Sequence, residues 1–400
     1  MSAVAFRAGS ARAPEKKEDP LTHRLLTALA AVSIAASGAL VAAPASTARV
    51  LDVGAAAAAA TAPPTFYVDA TSGSDARPGT SAATAWKSLA KVTAATFAPG
   101  TRVLLRRGGT FGKGFTLAES GRPGAPIRVS TYGAGAQPVI TGGGARGACV
   151  LLSGSWLVLD GITADRCGYS GIGVSGDHDT VRNTRVSRHA TGIYVKSGSD
   201  YGTYTGNTLV DNNIENVNTP SPGGDDSGAF GFLIHGDHNL FSRNTVRGSV
   251  ARSYDWVWDG GAFEIYDGDH NTITGNLAVD NNNFSELGHS KKQSAVVGNV
   301  FTRNTIRATC ASCSEARGLI VRGAKVKYGP NKGTVFSDNT VQLTGPTARG
   351  VTCHAGCTSA ILTMRNNKIT VTSGRGYAVW SDAAFLQRGN LLNGRVSMGR

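Results

Sequence analysis

The sequence predicts an all-β fold: a right-handed parallel β-helix, or solenoid, with an N-terminal cap and inserted loops. Three observations predict it. The first is a turn-rich composition, with 52 Gly among 400 residues, 17% charged and 41% hydrophobic residues. That balance suits short strands joined by many turns, and a helical bundle would need far more Leu, Glu and Lys. The second is a repeat. Asn183, Asn207, Asn244, Asn276, Asn299, Asn339, Asn366 and Asn390 recur in short motifs such as "TGNT", "SRNT" and "SDNT", in steps of 24, 37, 32, 23, 40, 27 and 24 residues. A short minimum step with variable additions describes one solenoid rung plus inserted loops. The third is that each unit carries short alternating strands, such as "GIYV", "FLI" and "FEI", with no helical segment between them. Such strands coil in parallel. Asparagine suits the turn because stacked side chains hydrogen-bond along a ladder and because Asn tolerates left-handed backbone.

Taken in chain order, the first element is an export signal over residues 1–45. Arg12, Lys16, Lys17 and Arg24 precede the apolar run "LLTALAAVSIAASGALVAA", and Ala43 and Ala45 give a small-residue cleavage pattern. The alternative is a membrane anchor, but the run is rich in Ala, Ser and Gly. Residues 46–64 read as a low-complexity linker and 65–400 as one β-helix domain. An exported protein accommodates disulfides. Cys310 with Cys313 and Cys353 with Cys357 are close pairs, and Cys149 and Cys167 flank one segment. The alternative is a four-cysteine zinc site built from the two close pairs. The formal charge of +13 favours a polyanionic partner. The basic residues are scattered rather than interleaved with aromatics, which argues against nucleic acid.

The folded part opens with "FYVDATSGSDARPGTSAATAWKSL", "FAPGTRVLLRRGGTFGKGFTL" and "GAPIRVSTYGAGAQPVITG". With the "NTITGN"-type rungs, these segments resemble secreted β-helix proteins of the pectate-lyase-like superfamily over about residues 65–395. The resemblance implies an extracellular protein acting on carbohydrate; the chain is further expected to be a secreted monomer with no membrane association after signal removal. In the opening motif, Asp69, Asp75, Trp86 and Arg107 read as structural parts of the cap.

Strand alternation then sorts the rungs into inward and outward positions. With Ile172 and Val174, Ile193 and Val195, Phe232 and Ile234, Phe263 and Ile265, Leu319 and Val321, and Tyr377 and Val379 inward, one outward column reads Gly173, Tyr194, Leu233, Glu264, Ile320, Thr352. The next reads Ser175, Lys196, His235, Tyr266, Arg322, His354, Trp380. Spacing to the repeat asparagine puts Leu287 inward and Glu286 outward beside Glu264, and a slip of one residue would reverse this.

Paired carboxylates suit three kinds of chemistry: holding Ca²⁺, acting as acid and nucleophile of a retaining glycosidase, or donating a proton from a raised pKa. Lys196, His235, Tyr266 and Arg322 add bases and cationic anchors on the same face. Asp259, Trp258, His354 and Trp380 are candidate substrate contacts. Asp225 and Asp226, in a Gly-rich loop, are either metal ligands alongside Glu264 and Glu286 or turn formers. Asp177, Asp237 and Asp269 read as turn residues. "GAFEIYDGDHN" resembles the Gly-x-x-Glu-Ile strand of chondroitinase-B-like and alginate-lyase-like proteins, which implies a metal-ligand role for Glu264. It departs from them in lacking a second glutamate two residues on. The expected activity is cleavage of an acidic, uronic-acid polysaccharide by β-elimination. The alternatives are a retaining glycoside hydrolase using Glu264 and Glu286, or a non-catalytic carbohydrate-binding protein.

Overall fold

In the computed structural model, three parallel sheets of 12, 11 and 11 strands run along one coil, and successive rungs add one strand to each. The structure describes residues 63–142, 147–220, 223–290, 293–310, 315–372 and 374–399. The proposed export signal, and the linker up to residue 62, lie outside the described residues. Among those described, no helix is long and apolar enough to cross a membrane. The architecture is the right-handed parallel β-helix that the repeat predicts.

The coil begins at a cap. Strand Thr65–Val68 pairs with Arg102–Arg106, and a short helix, Ala90–Ala94, lies between them in sequence. Asp69 accepts from the Thr71 and Ser72 amides and ion-pairs with Arg106 at 2.6 Å. Asp75 accepts from the Lys87 and Ser88 amides. Trp86 is buried, stacks on Phe66 at 4.9 Å and donates from its indole to the Arg77 carbonyl. Arg107 takes no part in the ion pair and instead donates to the Gly135 carbonyl at 3.2 Å.

Inside the coil, like stacks on like. Ile172, Ile193, Phe232 and Phe263 follow one another in register, as do Val174, Val195, Ile234 and Ile265. All eight are fully buried. Phe232 and Phe263 stack at 5.0 Å, close to the ~4.8 Å strand spacing that the backbone imposes.

The asparagine repeat resolves into more than one ladder. Asn207, Asn244, Asn276, Asn304, Asn339, Asn367 and Asn390 pass side-chain hydrogen bonds from rung to rung at 2.8–3.0 Å. Asn299 belongs to a parallel ladder with Asn239 and Asn271. Asn183 and Asn366 stand one residue earlier, in left-handed backbone at φ 52° and 53°. The two talents ascribed to asparagine are therefore divided between adjacent positions, and the left-handed one also accepts Gly206, Arg243 and Asp338.

Disulfides join Cys149 to Cys167 and Cys353 to Cys357. The second uses two sulfurs that the zinc alternative requires, so that alternative is wrong. Cys310 is also disulfide-bonded, and Cys313 lies outside the described residues.

Candidate active site

The outer face of one 11-stranded sheet carries the site. Its floor uses strands Phe230–Ile234, Gly261–Tyr266, Asn283–Gly288, Arg317–Arg322, Arg349–His354 and Tyr377–Ser381, each in register with the next. Leu233, Glu264, Glu286, Ile320, Thr352 and Trp380 follow one another along the central column. Glu286 thus stands directly opposite Glu264, one strand spacing away. Trp380 belongs to this column rather than the one beside it, and Tyr377 is not an inward core residue. The reason is a corner at the start of each strand, where two consecutive residues are buried, such as Ala378 and Val379. That corner offsets simple alternation by one. It needs little side-chain volume: a Cβ on Gly318 would lie 2.0 Å from the Gly350 carbonyl oxygen.

The same offset creates a third outward column, missed by alternation, in which Phe230, Asn283, Arg317 and Arg349 line the groove. A signal was present: "ARGLIV" and "ARGVTC" each carry Arg-Gly two residues before the inward Leu319 and Val351. Lys327 and Tyr328, on the loop after Arg322, also line the groove and were missed. Lys327 Nζ donates to the Tyr328 hydroxyl at 2.9 Å, and Tyr328 packs edge-on to Tyr266 at 6.3 Å. His289 fixes this loop through its Nε2, 2.7 Å from the Gly329 carbonyl oxygen.

Two antiparallel hairpins wall the other edge. One pairs Glu215–Val217 with Ser227–Gly228, and the other pairs Ala251–Ser253 with Val257–Asp259. Asp226 staples them, accepting from the Thr219 amide at 2.7 Å, the Ser253 hydroxyl at 2.8 Å and the Asp255 amide at 2.9 Å. Asp255 in turn accepts from the Asp225 and Asp226 amides. Asp225 and Asp226 cluster with Asp255, and Glu264 and Glu286 lie outside that cluster. The four carboxylates named above as one metal set therefore do not converge.

The groove between these walls has a volume of about 870 Å³. Glu264, Glu286, His235, Tyr266, Arg322, Asp259, Trp258, His354, Trp380, Asp225 and Asp226 all line it. Lys196 does not; its ammonium lies 5.7 Å from the Tyr194 ring.

The two glutamates have different surroundings. Arg322 ion-pairs with Glu286 Oε1 and anchors itself on the Leu287 carbonyl at 2.8 Å, while Asn283 Nδ2 donates to Glu286 Oε2 at 3.4 Å. Glu264 makes no hydrogen bond or ion pair among the described residues. Burial first, then the charges of Glu286 and Asp259, raise its pKa well above the ordinary carboxyl range, against a smaller pull from Arg322. Burial, with help from Glu286 and Asp226, pushes Asp259 up to about 7. Glu215, which feels the charge of Asp259, rises to about 8 for the same kind of reason, and both its oxygens are buried with no partner among the described residues. Burial lowers the pKa of His235 and of His354.

The glutamate pair by itself does not fit Ca²⁺, which takes six to eight oxygen ligands. Of the two glutamates here, one is already paired with a guanidinium, and Arg317 lines the same groove. Asp226 has both oxygens occupied by N–H and O–H donors.

Residues 147–392 match a family model described as a right handed beta helix region. No curated protein matches the chain by sequence. Among solved structures, pectate lyase Pel9A is similar with a TM-score of 0.52 at 20% identity, over 80% of this chain and 79% of that one. Alginate lyase from Paenibacillus sp. str. FPU-7 gives 0.49 at 13% identity, over 83% of this chain and 99% of that one. Native GH136 lacto-N-biosidase from Eubacterium ramulus gives 0.49 at 13% identity, over 84% and 68%. At these identities the likeness is one of fold.

Proposed function

The chain belongs to the right-handed β-helix family, and on that scaffold we propose that the groove hydrolyses a glycosidic bond of an acidic polysaccharide outside the cell, with Glu264 as acid and Glu286 as nucleophile. The observation that carries this reading is the inequality of two facing carboxyls. One is unpartnered with a raised pKa, and its neighbour is held in an ion pair. Environments that push two such groups apart divide the acid and nucleophile roles between them.

In the first step, Glu264 gives its proton to the glycosidic oxygen as the C–O bond breaks, and a Glu286 oxygen bonds to the anomeric carbon. In the second, the Glu264 carboxylate takes a proton from water. The resulting hydroxide displaces Glu286 and leaves Glu264 protonated again. Retaining glycosidases separate the two carboxyls by ~5 Å, close to one strand spacing. Arg322 and Asn283 aim Glu286, and the guanidiniums of Arg317 and Arg349 suit the acid groups of the substrate. No step calls for a metal.

β-Elimination is the second reading, favoured by the Lys327–Tyr328 pair beside Tyr266. A phenol hydrogen-bonded to an ammonium suits removal of the proton next to a uronate carboxylate, with the arginines offsetting that carboxylate's charge.

The test is incubation of the protein with polygalacturonate, alginate, hyaluronan and dextran, with and without chelator. New reducing ends without ultraviolet absorbance from an unsaturated uronate are expected, unchanged by chelator. Appearance of that absorbance would replace hydrolysis by elimination. Activity that survives Glu264→Gln would remove Glu264 from the chemistry.

A further inference from the structure

Charge in this groove is sorted along the coil axis. Every Lys and Arg among the described lining residues follows Glu286 in sequence: Arg317 and Arg322 on the next strand, Lys327 on the loop after it, and Arg349 on the strand beyond. Arg322 is engaged by Glu286, whereas Arg317 and Arg349 are Cα partners on adjacent strands. They stand about 5 and 10 Å beyond Glu286 along the axis at ~4.8 Å per strand. Two neighbouring guanidiniums repel each other, and burial and Arg349 both lower the Arg317 pKa. Arg317 ion-pairs with Glu315 at 3.7 Å, donates to its carbonyl and is also attracted by Glu286, while Arg349 makes no ion pair among the described residues, lying over the Trp380 ring at 4.5 Å. A carboxylate bound between them relieves that repulsion, and the planar fork of arginine matches it bidentately.

The hairpin side is the reverse. Among the described residues, Asp225, Asp226 and Asp259 line the groove there with no lining cation. Trp256 is 51% exposed at the hairpin tip, its ring near Gly224, and Trp258, which also lines the groove, carries the Arg252 guanidinium over its ring at 4.2 Å. A second acidic sugar on this side would face the aspartates. An uncharged one sets its apolar face on indole and meets no like charge.

Building on the carbohydrate reading above, we infer that the substrate is a heteropolymer, and that the bond at Glu264 and Glu286 joins an uncharged sugar on the hairpin side to a carboxylate-bearing sugar on the arginine side. A polymer acidic at every residue places a charge against the aspartates, and a wholly uncharged polymer leaves the arginine pair unmet.

Affinity gel electrophoresis of the full protein carrying Glu264→Gln tests this, in gels cast with hyaluronan (uronate alternating with an uncharged amino sugar), polygalacturonate (uronate throughout) or dextran (no charge). Hyaluronan is expected to retard it at least ten-fold more strongly than either homopolymer. Arg349→Met should remove that preference, and Trp256→Ala should weaken retardation by hyaluronan. Equal or stronger retardation by polygalacturonate overturns the inference and leaves the carbohydrate reading standing. No retardation by any of the three overturns both. If the Gln variant does not fold, the same ranking is read from KM values of the unaltered protein.

Discussion

Asp179 occupies the turn position that Asn239, Asn271 and Asn299 fill on later rungs. Its Oδ1 does what theirs does, accepting an amide of the preceding rung, from Leu157 at 2.8 Å. Its Oδ2 is buried without a partner, where the asparagines place an amide that donates to a turn carbonyl. Burial pushes the Asp179 pKa up to about 8. Asp259 and Glu215 are raised as well, to about 7 and about 8. The unfolded chain gives up these protons near the ordinary carboxyl range, so between there and pH 8 the native form binds more of them and rising pH costs stability. His189, lowered to about 4, opposes this only below its ordinary value of 6.5. The melting temperature should therefore fall between pH 6.5 and pH 8.5 in calorimetry. Asp179→Asn should flatten that fall, adding about 1–2 kcal/mol at the alkaline end and less at pH 5. At Glu264 the sign is read in activity. The proton donor is lost as pH rises through its raised pKa, so the alkaline limb of kcat should lie higher in pH than an ordinary carboxyl would give. Glu264→Gln should lower kcat by about 10²–10⁴-fold with little change in KM. The sequence showed that Glu264 breaks its column. It did not show that Glu286 is bound to Arg322 while Glu264 is left alone, because that depends on how far a guanidinium reaches across one rung.

A rung is the element from which everything else follows. Each repeats three strands and a few polar caps, so its register was legible wherever a strand alternates cleanly. Glu286 was placed by counting back from Asn299, and the pairing of Leu287 with Ile265 agrees with that count. Register failed at Tyr377 and Trp380, where the corner inserts a buried Ala378 ahead of Val379. The same corner hid Arg317 and Arg349. The hairpins that form the groove wall were legible as extra length and not as shape, since the bonds that staple them, from Ser253 and Asp255 to Asp226, join residues distant in sequence. Within a rung the strongest single dependence is on the ladder. Asn276 accepts from the backbone and side-chain amides of Asn244 and donates to the Phe241 carbonyl and to Asn304. Asn276→Ala strands the Asn244 backbone amide in the core and removes one donor from the Phe241 carbonyl, at about 1–3 kcal/mol for a group left unsatisfied. A lower denaturant midpoint with an unchanged slope is the expected reading, and no loss at all would mean the ladder is ornamental.

The molecule as a whole carries +13 at neutral pH, part of it in the N-terminal segment. Attraction between exposed charges is screened over ~10 Å at 0.1 M salt. Affinity for an acidic polymer should therefore fall as NaCl rises, and Arg317→Met should make that dependence shallower in a titration series. The disulfide across 18 residues, Cys149–Cys167, should contribute about 3 kcal/mol, and the one across four, Cys353–Cys357, about 2 kcal/mol, because longer loops lose more unfolded-state entropy when closed. Guanidinium unfolding of each Cys→Ala pair measures this. Beyond stability, the coil works as a ruler. The step from Glu264 to Glu286 is the step between any two rungs, so the spacing that acid–nucleophile chemistry requires is available at every seam of this face and needs no special backbone to hold it. Relocating the reaction by one notch takes substitutions at Leu233 or Ile320 and an arginine on the strand beyond. A scaffold graduated in this way lets chemistry migrate along a bound chain while the fold stands still.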